Sequence, residues 1–429
     1  MNFQQFQNLG DEIRTKFSRH NFDEQALPDL AAETLSRVDL DSDFRLDQLA
    51  DFLIETKIEQ QPSLEFSNLP PVVYRCEDFY IELLIWTDAT TTIHQHSFSG
   101  AFRVLVGSSF HSIYDFNERE RISSRLLIGD ARLKGAEVLK TGDVRPIRPG
   151  RTGLLHALFH LDRPSVTVVV RNYSEPWAQP QYQLDPPHVA FDAIKLRRDS
   201  KVRLLGRLLT MAAALNPKDA VELFVSKGIQ LDFPRLFMVL QENYGFLNAD
   251  ADWLLFIEAA REAHGPLAEH LEQMVRSRKR TASLVHARQS VKDPELRFFL
   301  ALLLNLPSRT WIYRVIQENH SGTSPEILCC QWLMRLADEE SLSNAFFELA
   351  QKAKLGGDIL GARLKAAISC GRVDTRAQTI LHSALTAVSP QEFEGIIKGT
   401  FGDNVPSSDI SDTYERIRQL TELEPLFLE

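Results

Sequence analysis

Two histidines two residues apart, in the run Thr92-Ile93-His94-Gln95-His96-Ser97, are the side chains of this sequence best placed to do chemistry. They lie in an apolar, β-branched segment. Strand side chains alternate, so His94 and His96 project from one face. Two neutral imidazoles entering one cavity are what a metal ion needs from a β-barrel. A further histidine, His156, follows the turn-rich Thr141-Gly142-Asp143 and Arg148-Pro149-Gly150 and precedes a valine-rich run over 166–171. We therefore expect a metal site in a small β-barrel. His160 lies one helical turn's worth of residues beyond His156 and, on a strand, shares its face, so spacing alone leaves the third ligand open between them. His111 reads as a hairpin surface histidine, and His188 falls in a connector.

The elements that must position these residues follow from the hydrophobic period. Phe3, Phe6, Leu9, Ile13 and Phe17 form a stripe at helical spacing. A second helix opens after Leu27-Pro28, and a third spans about 44–56 with Leu46, Leu49, Phe52 and Leu53 on one face. Leu69-Pro70-Pro71 ends helix formation, because proline disfavours helical geometry in the residue before it. These helices are expected to pack across the outside of the barrel. From Val72 the period becomes strand-like: 79–86, then 102–107 ending on Gly107 with 109–116 as its hairpin partner. Shorter strands are expected over 121–129, 136–140 and 144–147, and the strongest over 166–173. Many short strands broken by Gly, Asp and Pro turns indicate a barrel of the jelly-roll kind. The stretch 175–187 reads as an extended connector. After Asp192 the pattern is helical, with starts marked by Asn216-Pro217, Asp293-Pro294, Ser324-Pro325 and Ser389-Pro390 and apolar runs over 297–306 and 345–355. The basic run Arg276-Ser277-Arg278-Lys279-Arg280 reads as a solvated helix end. The domains expected are helices over 1–70, a barrel over 71–195 and an all-α domain over 196–429, an α+β multidomain chain.

Composition narrows the function. A 429-residue chain with formal charge −10 is not a general binder of nucleic acid or anionic membranes. The start lacks a basic region and an apolar core, and no apolar run approaches the roughly 20 residues that span a bilayer. A cytoplasmic location is the expectation. The cysteines Cys76, Cys329, Cys330 and Cys370 form no CxxC pair, and adjacent Cys329 and Cys330 read as buried thiols.

Ile85-Trp86, the 93–97 run and Phe102-Arg103-Val104-Leu105-Val106-Gly107 resemble the metal-binding strands of the cysteine dioxygenase family of cupins. Gly153-Leu154-Leu155-His156 and the ending Tyr173-Ser174-Glu175-Pro176 are similar to that family's third-ligand strand and its tyrosine-serine-proline close. The resemblance covers residues 72–177. It implies a cupin-type jelly roll holding Fe(II) through His94, His96 and His156, with His156 preferred to His160 by its interval to Tyr173. It further implies activation of O2 on a small substrate. The stretch 97–101 lacks the carboxylate a typical cupin carries there. Three neutral ligands leave the ion's charge uncompensated and favour an anionic donor such as a thiolate. Tyr173 matches the family's active-site tyrosine. Arg171 stands where the family has a histidine, and as a fixed fork it suits a carboxylate or phosphate. Arg75 is the counterpart of a carboxylate-binding arginine, one residue out of register. Ala101 occupies the position of a cysteine-tyrosine cross-link, which therefore cannot form.

The reading is thus a non-haem Fe(II) oxygenase acting with O2 on a small anionic substrate, a thiol or a non-thiol acid, although histidine ligands also suit nickel, manganese or zinc. The helical domain either shapes the substrate entrance or forms a homodimer. The alternatives are a non-catalytic metal-binding or sensory cupin coupled to a helical interaction domain, and an enzyme whose substrate is carried by the helical domain.

Overall fold

A computed structural model of the chain describes residues 3–60, 67–150, 153–173, 180–247, 250–338, 383, 389–401, 406–418 and 421–428. It divides into two compact units, 1–279 and 280–429. The first begins with helices α1 (Gln4–Arg19), α2 (Leu27–Arg37) and α3 (Leu46–Glu55). Eleven strands follow among the described residues: β1 (Val72–Arg75), β2 (Phe79–Trp86), β3 (Ile93–Gln95), β4 (Gly100–Val106), β5 (Ser108–Ser123), β6 (Leu126–Lys140), β7 (Val144–Ile147), β8 (Leu155–His160), β9 (Ser165–Asn172), β10 (Gln183–Asp185) and β11 (Val189–Phe191). One sheet runs β1-β2-β9-β4-β7, and the others close as β10-β11-β6-β5-β8-β3. This is the expected α+β architecture: N-terminal helices and a β-barrel, followed by a helical region.

The alternation of β2 explains how the layers stack. Ile81, Leu83 and Ile85 share a core with Phe6, Leu9, Ile13 and Phe17 of α1 and with Val166, Val168 and Val170 of β9. The intervening Glu82, Leu84 and Trp86 face an interior cavity. A strand buried on both faces reads as a continuous apolar run, which is why the 79–86 segment hardly alternates. Gly107, at φ +80°, makes the turn from β4 into β5.

Several expectations need correction. The segment 109–116 pairs with β6 and β8, not with β4, whose partners are β7 and β9. The segment 121–129 is not one strand: Ser124 and Arg125 turn β5 into β6. Within 175–187, residues 183–185 form β10, a strand that gains order from its neighbours β3 and β11 rather than from its own propensity. Phe224, Phe237 and Met274, from beyond the barrel strands, share a core with Leu126, Ile128 and Phe191 of the barrel. The basic run lies inside a helix (Ala268–Ser290), where Arg278 reaches the buried Asp185 at 3.6 Å.

In the second unit Asp293 caps a helix (Pro294–Asn305) by accepting from Glu295 and Leu296, and Ser389 accepts from Glu392 at the last expected start. Cys329 and Cys330 are fully buried, and burial pushes the Cys330 thiol up to about 12. The apolar run 345–355, Cys370 and the Ser174-Glu175-Pro176 ending lie outside the described residues. No helix among the described residues is long and apolar enough to cross a membrane.

Leu83→Ala would empty a fully buried position between β2 and α1. Loss of that side chain is expected to cost about 2–5 kcal/mol, read as a lower urea midpoint at unchanged m-value.

Candidate metal centre

Strands β3 and β8 run antiparallel with His94 directly opposite His156. His96 lies two residues past His94, so the three imidazoles leave neighbouring strands on one face. All three are buried, and their ligand atoms lie within 4.8 Å of one another. Nε2 of His96 is 3.0 Å from Nε2 of His156. Two nitrogens about 2.1 Å from an ion and at right angles lie about 3.0 Å apart, so this spacing fits a shared ion.

Hydrogen bonds set which nitrogen each ring presents. Nδ1 of His94 donates to the Thr92 carbonyl at 2.8 Å, leaving Nε2 as its ligand atom. Nδ1 of His156 lies 2.8 Å from Nε2 of His111, again leaving Nε2 for an ion. Burial lowers the pKa of each ring: His94 falls to about 4, and His96 and His156 fall well below the usual histidine range. The rings are therefore neutral at physiological pH, the state in which imidazole binds metals. The residues present fit the metal that the resemblance implies.

The surrounding chain braces this cluster. The amide of Gly150 donates to the His96 carbonyl at 3.0 Å, and that of Leu154 donates to the Arg148 carbonyl. A Cβ at Gly153 would lie 2.0 Å from the Arg148 carbonyl oxygen, so glycine is required by close approach of the loop that leads into β8. The ring of Phe98 meets His96 edge-on at 4.8 Å and carries the Arg171 guanidinium on its face at 3.6 Å.

The triad opens on a cavity of about 40 Å³ lined chiefly by Leu84, Trp86, Phe98, Phe102, Leu158 and Val169. Its polar wall is Glu82 and Arg171, 3.2 Å apart. Burial raises the pKa of Glu82, opposed by the positive charge of Arg171. Oε2 of Glu82 and Nε of Arg171 are buried without hydrogen-bond partners.

Arg171 is thus brought to the same cavity as the three histidines. Tyr173 and Arg75 are placed elsewhere: the Tyr173 hydroxyl donates to the Cys76 carbonyl at 3.0 Å, its side chain is 37% exposed, and neither residue lines the cavity. Arg75 lies on edge strand β1 and pairs with Glu59 at 3.3 Å. His160 stands apart from the triad, stacked on Trp86 at 4.7 Å. His111 is not a surface residue. It is fully buried, because β5 passes between β6 and β8 and places it diagonally across from His156. Two residues escaped sequence reasoning. Glu82 was legible as the lone acid in an apolar strand, in phase with Trp86; Glu137 had no local signal, since its partnership with His111 depends on the β5–β6 register.

No family model and no curated protein matches the chain. Among solved structures it is similar to hydroquinone 1,2-dioxygenase PnpCD, determined in complex with Cd2+ and 4-hydroxybenzonitrile. The identity is 17% over 27% of this chain and 71% of that one, with a TM-score of 0.19. It is also similar to the DMSP lyase DddQ from Ruegeria pomeroyi DSS-3, at 16% identity over 41% of this chain and 98% of that one, with a TM-score of 0.22. Scores this low leave the function of the chain to its own residues.

His94→Ala and His156→Ala are expected to abolish metal binding, whereas His160→Ala retains it; metal analysis after dialysis distinguishes them. The metal-free protein is expected to lose stability as pH falls from about 6.5 toward 4. In that window the unfolded chain takes up protons that the buried triad refuses, so stability rises with pH. Chemical denaturation at stepped pH measures the slope, and His94→Asn should reduce it.

Proposed function

We propose that the chain is a mononuclear non-haem Fe(II) oxygenase that acts on a small anionic substrate. The observation that carries this reading is the convergence of three buried, neutral imidazoles on a small, largely apolar cavity. His94, His96 and His156 would hold Fe(II), which would supply Lewis-acid and O2-activating chemistry there. The chain's own residues do the rest. Leu84, Trp86, Phe102 and Leu158 exclude water, which strengthens every electrostatic interaction inside. Arg171 is held by the ring of Phe98 and presents a guanidinium to the cavity. An anionic group on the substrate would share or displace the Glu82 carboxylate there, and Glu82 would accept a hydrogen bond from a hydroxyl or amine beside it. Tyr173, just past the end of β9, and Arg75 on β1 lie together outside the cavity lining, with the guanidinium 5.9 Å from the ring. The volume of the cavity, room for only one or two water-sized groups, favours a compact substrate.

The same small volume, with Arg171 already facing a carboxylate, supports a second reading as a non-catalytic sensory barrel. Protein loaded anaerobically should retain about one Fe(II) per chain. Oxygen-electrode measurements over a panel of small thiol and non-thiol acids should then show substrate-dependent O2 uptake. Iron-loaded protein that consumes no O2 with any of them favours the sensory barrel, and protein that takes up no Fe(II) refutes the oxygenase.

Arg171→Gln is expected to weaken binding of an anionic substrate about 10-fold or more, as removal of a charge-assisted contact does. Glu82→Gln is expected to strengthen it, because the competing carboxylate is gone. Titration calorimetry with both variants provides the test.

A further inference from the structure

Behind the third histidine lies a chain of polar groups that packing alone does not require. His111 is fully buried, and its Nε2 faces Nδ1 of His156 at 2.8 Å. Its own Nδ1 lies 3.0 Å from Oε1 of Glu137. Arg145 forks onto the same carboxylate, through Nε to Oε1 at 2.8 Å and through a second short contact to Oε2. The β5–β6 register sets His111 directly opposite Glu137, and the β5–β8 register brings His111 beside His156.

The direction of every proton in this chain is fixed by its acceptor. Burial works against the Glu137 carboxylate, but hydrogen bonds from His111 and Arg145 more than offset it and hold its pKa down at about 2. Ionised Glu137 can only accept, so Nδ1 of His111 donates to it. With Nδ1 of His111 donating to Glu137, its Nε2 is placed to accept from Nδ1 of His156 at 2.8 Å. Nε2 of His156 is then left bare, pointing at His96. Metal-binding imidazoles commonly donate their other N–H to a carboxylate or carbonyl, which fixes the ring and raises its basicity. Here a second imidazole stands between ring and carboxylate.

We propose that His111 and Glu137 are positioning residues for the third ligand: they lock His156 in its Nδ1–H form and pass carboxylate charge to it through one intervening ring. The chain thereby supplies, from outside the ligand set, part of the negative charge that the 97–101 stretch lacks. Arg145 anchors the outer end, and at 33% exposure each, Glu137 and Arg145 connect the buried chain to solvent. This inference rests on the reading of His94, His96 and His156 as metal ligands.

The test uses the full chain with 15N-labelled histidine, metal-free and loaded with Fe(II). In the metal-free protein, long-range 1H–15N spectra should show His156 and His111 each protonated on Nδ1 and bare on Nε2. Glu137→Gln, which keeps the shape and an acceptor oxygen but removes the charge, should weaken Fe(II) binding about 10–100-fold. It should also move the midpoint potential of the bound iron to a more positive value, and Glu137→Asp should restore both in part. A merely structural role would not move the potential of a variant whose fold, by circular dichroism and thermal unfolding, is unchanged. Protonation of His156 on Nε2 in the metal-free protein would overturn the proposal. So would a Glu137→Gln variant with affinity within two-fold of the parent and an unshifted potential. Failure of the parent protein to bind Fe(II) would instead refute the metal reading, while the metal-free spectra still decide the orientation of the chain.

Discussion

One antiparallel register, His94 opposite His156, is the constraint on which the site depends. Side chains on a strand have a period of two, so a slip of one residue between β3 and β8 would turn one ligand out of the cavity. Closure of the sheet prevents that slip. β3 is only three residues long, yet it is held by β8 on one side and β10 on the other, and each of those is held in turn by the rest of the ring. The loop hydrogen bond from Gly150 to the His96 carbonyl extends the same order past the end of the strand.

Burial sets the charge state of the site. Three imidazoles out of water remain neutral, and two carboxylates stand near them, each tied to an arginine. Glu82 faces the cavity with Arg171, and Glu137 backs the triad with Arg145. The Glu82–Arg171 pair is buried, and such a pair recovers in mutual attraction only part of what desolvation costs. Glu137 and Arg145 are a third exposed, where an ion pair adds little stability. The two pairs stand on either side of the three-histidine cluster. In the function proposed, the inner pair sets the charge a substrate meets, and the outer pair steadies His156 through His111.

The N-terminal helices act on the site at one remove. Their stripe of Phe6, Leu9, Ile13 and Phe17 covers the odd-numbered residues of β2, and this fixes the even-numbered ones, Glu82, Leu84 and Trp86, toward the cavity. The helices that follow β11 cover the opposite side of the barrel, through Leu126, Ile128 and Phe191. Both faces of the central strands are therefore dry, and the cavity is the space left between layers whose outer surfaces are already committed.

Much of this was legible in the chain. A helical stripe before Pro70, a change of period at Val72, the HxH run and the proline-marked helix starts each rest on local spacing, which a strand or helix converts directly into a face. That logic reached His94 and His96, and it indicated an α+β chain with a β-barrel; spacing left His156 and His160 open, and the family resemblance favoured His156. Spacing could not tell which strands become neighbours. The pairing of β5 with β6 and β8 turned His111 from an expected surface residue into a buried partner of His156. The same pairing brought in Glu137, and the packing of β9 on β2 gave Arg171 a carboxylate. Pairing across a sheet joins residues far apart in sequence, and no local signal encodes it. The sequence by itself thus determined which histidines share a face and which way each projects from its own strand. Only the tertiary structure decided what stands behind those ligands, because that depends on the register between strands.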